Sequence, residues 1–221
     1  MPDALAVSPT FDINAAYTPT DTTELCLLMR KYGSDKGLGR HNYTTLYHAV
    51  FGSRRQDRLN VFELGLGSNH ADVPYGMGPD GKPGASLYAW RDYFPHAEVY
   101  GADIDRRVLF QADRIKTFYC DQTSSRAIAQ MWGRIASEMD VIVEDALHVA
   151  TANICFFERS IHKLARGGVY VIEDLNAEAV RTVERAAARW KARWPALTFR
   201  RVDLPNPLNG FDNRVLLVHK R

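Results

Sequence analysis

The sequence predicts an α/β fold: one domain on a mostly parallel sheet flanked by helices, with an antiparallel hairpin at its C-terminal end. Three observations carry this. Short apolar runs alternate with helical stretches, as crossover connections require. Successive strand candidates stop at an acidic residue or a glycine turn, and open α/β sheets bind ligands beyond such strand ends. The 221 residues supply one sizeable core and are too few for two comfortable domains.

The elements follow in order. Residues 1–20 carry Pro, Thr and Asp without periodicity and are expected to form a loose arm, leaving 21–221 as the domain. Asp21 or Thr22 can cap a helix through Lys31, with Leu25, Leu28 and Met29 on its apolar side. Gly33-Ser34-Asp35-Lys36-Gly37 stops it, and a second short helix is expected near 43–51. An apolar run at 59–64 ends in glycines. A helix at 85–93 precedes a strand at 98–102 that ends at Asp103, and 116–120 reads as a strand ending at Asp121. A helix is expected at 125–137. Val141-Ile142-Val143 is a buried-strand signature ending in Glu144-Asp145. A helix at 151–164 leads to a strand at 168–172 ending in Glu173-Asp174, then to an Ala- and Arg-rich helix at 178–194. Two last strands, 197–203 and 214–219, flank a Pro- and Asn-rich loop and can pair antiparallel.

Composition narrows the function classes. The net charge of +2 gives no electrostatic reason to expect nucleic acid or an anionic membrane as partner. Three widely spaced cysteines without C-x-x-C spacing argue against a disulfide framework and a zinc site, and suit a reducing cytoplasm. Met1 to Thr10 lack the marks of a signal peptide, and no apolar stretch is long enough to span a bilayer.

The chemistry-bearing residues gather at the expected strand ends. In Glu63-Leu64-Gly65-Leu66-Gly67, the glycines allow a sharp turn and a close approach of ligand to backbone. Asp103, at the next strand tip, can accept both hydroxyls of a ribose. The turn lacks G-x-G-x-x-G, which disfavours an NAD-dependent dehydrogenase. Asp121 can accept from an adenine amino group, and equally can cap the helix after Ser124. Asp145, Glu173 and Asp174 would repel one another unless a cation or shifted pKa values relieve them. Oxygen ligands suit Mg²⁺. His148, three residues beyond Asp145, can serve as a general base; singly, each of these four reads as a helix cap or a surface group. The segments 31–37 and 41–47 can fold over the crevice and contact a ligand, although Gly33 and Gly37 also serve as plain helix stops. The long 68–84 loop reads either as a lid or acceptor flap, or as a mobile insertion.

Taken together, K-Y-G-S-D-K-G, H-N-Y-T-T-L-Y, V-F-E-L-G-L-G, the run from Ser86 to Asp105, C-D-Q-T, E-D-A-L-H and V-I-E-D-L resemble a known family over about residues 25–175. It is that of the Rossmann-like, class I S-adenosylmethionine-dependent methyltransferases. The metal-dependent macrolide sugar O-methyltransferases and the related cephalosporin hydroxylase group are the nearer likeness. The resemblance implies that Glu63, Gly65 and Gly67 lie along the cofactor's methionine part and that Asp103 holds its ribose. It places Asp121 and Gln122 near the adenine, and has Tyr32, Ser34 and Lys36 close over the cofactor. Asp145, Glu173 and Asp174 would hold Mg²⁺, with His148 as base. The expected activity is O-methylation of a small-molecule acceptor, a sugar or other natural-product or glycan hydroxyl; self-association is compatible with it. The alternative is a hydroxylase-like or non-methylating helper on the same fold. One departure is the Ala146-Leu147 pair, where the family carries Gly-Ser beside the base. The other is the short N-terminal arm in place of a large helper domain.

Overall fold

The computed structural model describes residues 10–37, 41–73, 76–206 and 208–221. Two helices lead into the sheet: α1 (Glu24–Tyr32) and α2 (Tyr43–Phe51). The core then runs β1 (Asn60–Leu64), α3 (Ala85–Tyr93), β2 (Glu98–Asp103), β3 (Gln111–Ala112), β4 (Ile115–Tyr119), α4 (Ser125–Trp132) and β5 (Met139–Glu144). It continues through α5 (Ala150–Ser160), β6 (Leu164–Ile172), α6 (Ala177–Arg193), β7 (Leu197–Asp203) and β8 (Arg214–Lys220).

The eight strands form one sheet in the order β3-β4-β2-β1-β5-β6-β8-β7. The five from β4 to β6 are parallel neighbours. From β1 the chain winds outward through β2 to β4, then returns to β5 on the other side of β1. The topological switch point therefore lies between β1 and β5, where an open α/β sheet leaves a crevice beyond its strand ends. The strand ends are tied in register there: Gly65 N–H donates to Ala102 O (2.8 Å), Asp145 N–H to Leu64 O (2.9 Å) and Glu173 N–H to Glu144 O (3.0 Å).

The strand sequences explain their burial. Val141, Ile142 and Val143 are all fully buried, with Val141 and Val143 in the core on one face and Ile142 in the core on the other. A strand covered by helices on both faces needs this apolar run rather than alternation. Each such side chain contributes about 1.5–3 kcal/mol of transfer free energy.

Several expectations are modified. Thr23, not Asp21 or Thr22, caps α1, accepting from Cys26 N–H at 3.1 Å. Gly33 stops that helix at φ +86, as its sequence position suggested. The 151–164 helix is shorter, because Leu164 already belongs to β6. The two-residue β3 was not foreseen; such a strand has no periodicity to read. The C-terminal strands do pair antiparallel, but β8 inserts between β6 and β7.

The arm is not loose where it is described. Phe11 and Ile13 are buried in the core, Phe11 packs edge-on against Phe51, and the Arg54 guanidinium lies over its ring. Two apolar residues among polar neighbours are too few to read as a helix or strand, yet they help to anchor the segment, together with Arg200, which donates to Ile13 O and Ala15 O, and Thr45, which donates to Thr20 O. Residues 1–9 lie outside the described residues.

Candidate active site

A cavity of about 1130 Å³ opens beyond the strand ends at the switch point. Of the residues singled out from sequence, Ser34, Lys36, Glu63, Gly65, Gly67, Asp103, Asp121, Gln122, Asp145, His148, Glu173 and Asp174 line it. Tyr32 does not. Its hydroxyl donates to Asp92 at 2.5 Å and its ring stacks on Tyr88.

The glycine turn is set by close packing at the switch point. Gly65 has φ +94, and a Cβ there would lie 1.7 Å from the Asp145 carbonyl oxygen. Only glycine fits a backbone crossing this tight. Glu63, at the buried end of β1, accepts from Ser86 Oγ (2.6 Å) and Trp90 Nε1 (2.5 Å), so its place is fixed by α3. Asp103 holds the turn from β2, with Oδ2 accepting from Leu66 N–H and Oδ1 from Asp105 N–H, both at 2.8 Å. Asp121 Oδ1 accepts from Thr123 N–H (2.9 Å) and Oγ1 (2.7 Å), while Ser124 rather than Asp121 caps α4, its Oγ accepting from Ala127 N–H at 3.2 Å.

Gln122 is committed inward. Its amide nitrogen donates to Glu144, and its oxygen accepts from Leu147 N–H at 2.9 Å. Asn153 (2.8 Å) and Tyr170 (3.1 Å) also donate to Glu144. This buried network fixes the segment that carries Asp145 and His148. Burial pushes the Glu144 carboxyl up to about 8, against the pull of these donors.

The acidic set divides into two groups. The buried Lys36 ammonium binds Asp145 Oδ2 (2.5 Å) and Glu173, and lies 3.6 Å from Glu63. Tyr47 donates to the other Glu173 oxygen. Both Glu173 oxygens thus already have a protein partner. Burial would lower the Lys36 pKa, but the three carboxylates hold it well above the ordinary value.

The second group faces the cavity. Asp145, His148 and Asp174 each present a ligand atom within 4.8 Å of the others. His148 Nδ1 lies 3.0 Å from Asp174 Oδ2, and its Nε2 lies 3.7 Å from Asp145 Oδ1. Tyr43 donates to Asp174 Oδ1, and His41 Nδ1 is 3.5 Å from that oxygen. His148 and Asp174 both sit at positive φ, +55 and +54. Non-glycine residues in this region cost about 1–3 kcal/mol each and cluster at functional sites. Burial pulls the His148 pKa down, but the hydrogen bond to Asp174 and the charges of Asp145 and Asp174 outweigh it and carry it up to about 9. Burial pushes Asp145 up, past the opposing pull of Lys36, to about 6.

His41, Tyr43 and Tyr47 lie in the 41–47 segment noted from sequence, but neither they nor Asp212 were given a role there. Tyr43 and Tyr47 stand one helical turn apart on α2, so one face of that helix delivers both hydroxyls to the adjacent carboxylates Asp174 and Glu173. That i, i+4 tyrosine pair was the available signal. His41 and Asp212 form a second group with Asp174 within 4.8 Å.

The 68–84 loop folds back over the turn where it is described. Met77 N–H donates to Ser68 O (2.8 Å), Gly84 N–H to Leu66 O (2.7 Å), and the Met77 side chain lies against Gly67. Residues 74 and 75 lie outside the described residues.

This architecture recurs in a solved structure, the MycE methyltransferase of the mycinamycin biosynthetic pathway in complex with Mg, SAH and mycinamycin VI. The TM-score is 0.68 at 21% identity, over 90% of this chain and 54% of that one. Sequence relatives point the same way. The 8-demethyl-8-alpha-L-rhamnosyl tetracenomycin-C 2'-O-methyltransferase of Streptomyces olivaceus is 30% identical, over 73% of this chain and 40% of that enzyme. The L-olivosyl-oleandolide 3-O-methyltransferase of Streptomyces antibioticus is 31% identical, over 71% of this chain and 38% of that enzyme. The chain has the class I methyltransferase fold and resembles sugar O-methyltransferases. It spans about two-fifths of the length of these curated relatives. No protein-family model matches it. On the methyltransferase fold, the turn at Gly65 and the tip of β2 occupy the strand ends at which the sequence motifs predicted cofactor contacts.

Proposed function

We propose that this chain is an S-adenosylmethionine-dependent, Mg²⁺-dependent O-methyltransferase acting on a sugar hydroxyl of a natural-product or glycan acceptor. The observation that carries the reading is the joining of two half-sites at one switch point. Gly65, on the β1 side, is packed against the backbone of Asp145, which opens the carboxylate–imidazole group on the β5 side.

The residues fit both implied groups. The cavity is large enough for an adenosine-bearing cofactor beside an acceptor, and Asp103 and Asp121 stand at adjacent strand tips as polar anchors. Asp145 and Asp174 each present a carboxylate oxygen within 4.8 Å of the other and of a His148 ring nitrogen, and hard oxygen donors suit Mg²⁺. Lys36 already compensates Glu173, so Asp145 and Asp174 are the better candidates for direct ligands. When bound, the cofactor supplies an electrophilic sulfonium methyl, and the cation supplies charge that lowers the pKa of a hydroxyl.

The chain's own residues do the rest. Asp174 holds His148 Nδ1 and fixes the ring's orientation; a cation held by Asp145 and Asp174 would offset the negative charge that otherwise keeps the imidazole protonated, and would leave Nε2 free to take the acceptor's proton. The fixed geometry of both half-sites aligns nucleophile and methyl group, where much of the rate advantage resides. The relatives' names include rhamnosyl and olivosyl groups in their substrates, and this supports a sugar acceptor here. Three free cysteines suit the expected cytoplasmic location, and among the described residues no helix is long and apolar enough to cross a membrane.

The test is S-adenosylhomocysteine formation with rhamnosyl glycosides as acceptors. Wild type should turn over, and His148→Ala should lose about 10²–10⁴-fold in rate near neutral pH. Full activity in His148→Ala would remove the base assignment. Cofactor binding without turnover on any glycoside would favour the helper-protein alternative.

A further inference from the structure

Lys36 brings a single positive charge to the carboxylates that gather at the ends of β1, β5 and β6. Its ammonium lies 2.5 Å from Asp145 Oδ2, donates to Glu173 and lies 3.6 Å from Glu63. The backbone that delivers it is fixed. Gly33 ends α1 just before it, and Lys36 O accepts from Thr44 N–H of α2 at 3.3 Å. Buried carboxylates this close repel one another unless a cation neutralises them, and Lys36 supplies that charge from within the chain.

The three carboxylates are not equivalent. Glu63 also accepts from Ser86 and Trp90, and Glu173 from Tyr47. Their side chains are 1% exposed, whereas that of Asp145 is 21% exposed. Asp145 therefore divides: Oδ2 meets the ammonium, and Oδ1 lies 3.7 Å from His148 Nε2 in the group that faces the cavity. A Mg²⁺ ion at Asp145 and Asp174 would take oxygens at about 2.0–2.1 Å, from the cavity side and with twice the charge of the ammonium. Two cations drawn to one carboxylate repel each other, and a few ångströms apart inside protein that repulsion outweighs one hydrogen bond. Lys36 can give up Asp145 without being left unpaired, because Glu173 and Glu63 remain. Its flexible four-carbon stem allows the shift.

We propose that Lys36 is a resident counter-cation in competition with the divalent cation. Its ammonium neutralises Asp145 until the divalent cation binds there, and then withdraws onto Glu173 and Glu63. Lys36 acts through Asp145 rather than on the acceptor, and its charge sets how tightly the site holds its cation. The proposal rests on the cation-dependent methyltransferase reading.

The experiment compares wild type with Lys36→Met by Mn²⁺ titration, reading free Mn²⁺ by electron paramagnetic resonance, and by urea unfolding with and without Mg²⁺. Neither readout needs turnover. Removing one positive charge a few ångströms from a dication should tighten Mn²⁺ binding in Lys36→Met by at least about tenfold. Mg²⁺ should restore most of the stability that Lys36→Met loses, while shifting wild type much less. A lysine that served packing alone would be replaced by no ion. Equal or weaker Mn²⁺ binding in the variant, or a stability deficit that Mg²⁺ leaves in place, overturns the proposal. If Lys36→Met does not fold without added ions, recovery of its circular dichroism signal in Mg²⁺ supports the proposal, and a chain that stays unfolded in Mg²⁺ overturns it. Mn²⁺ binding by the variant alone supports the proposal and shows the ammonium winning the competition in wild type. Absence of Mn²⁺ binding from both proteins removes the cation-dependent reading, and the proposal with it.

Discussion

Replacing Gly65 by alanine places a Cβ 1.7 Å from the Asp145 carbonyl oxygen and 2.6 Å from its carbon. That is roughly 1.7 Å or more inside ordinary contact. Neither side can yield cheaply, because Gly65 N–H is bonded to Ala102 O (2.8 Å) and Asp145 N–H to Leu64 O (2.9 Å). The left-handed φ of +94 costs alanine about 1–2 kcal/mol on its own. Disrupting the two backbone hydrogen bonds adds about 1–3 kcal/mol for each group left unpaired. The expected loss is therefore about 3–8 kcal/mol, a large part of a typical domain stability of about 5–15 kcal/mol. Gly78 separates the two causes, since it has φ +77 but no atom within 4 Å of a built Cβ. Urea unfolding should show Gly65→Ala with its midpoint lowered by at least about 1 M, and Gly78→Ala losing only the conformational part. A Gly65→Ala midpoint equal to that of Gly78→Ala would refute the close-packing explanation of the turn.

Further outcomes follow from the charges. In protein without divalent cation, NMR titration of His148 should give an apparent pKa near 9. A raised histidine pKa stabilises the fold fully below the unfolded value of about 6.5 and loses that contribution as pH rises through the folded one; a pH-independent stability from 6.5 to 9.5 would contradict this. Adding Mg²⁺ should lower the His148 pKa, and an unchanged value would place the cation elsewhere. Lys36→Met strips the shared cation from Asp145, Glu173 and Glu63 and should destabilise the protein by about 3–5 kcal/mol in denaturant titration. A loss below about 1 kcal/mol would show that these buried carboxylates do not depend on Lys36.

Much of this was legible in the sequence because the signals are local. Val141-Ile142-Val143 can be satisfied only by burial on both faces of a sheet, and Gly65 after a strand announced a turn that something approaches closely. The strand-end carboxylates followed from the α/β winding. The partition of those carboxylates was not legible. Lys36 lies 109 residues from Asp145 and 137 from Glu173 in sequence, so no spacing rule joins them. The inward commitment of Gln122 was likewise invisible, since an amide at a strand end serves a ligand or a buried carboxyl equally well. Phe11 and Ile13 show the same limit for the fold: two anchors in a polar stretch have no period.

The central claim is that Asp145, His148 and Asp174 carry out cation-dependent proton removal beside a methyl-donor cleft. Its most direct test is S-adenosylhomocysteine formation from S-adenosylmethionine and a rhamnosyl glycoside, measured before and after chelation of divalent cations and again with Mg²⁺ restored. Activity should vanish on chelation and return with Mg²⁺ in wild type, but not in Asp145→Asn. Undiminished activity in chelator would contradict the account.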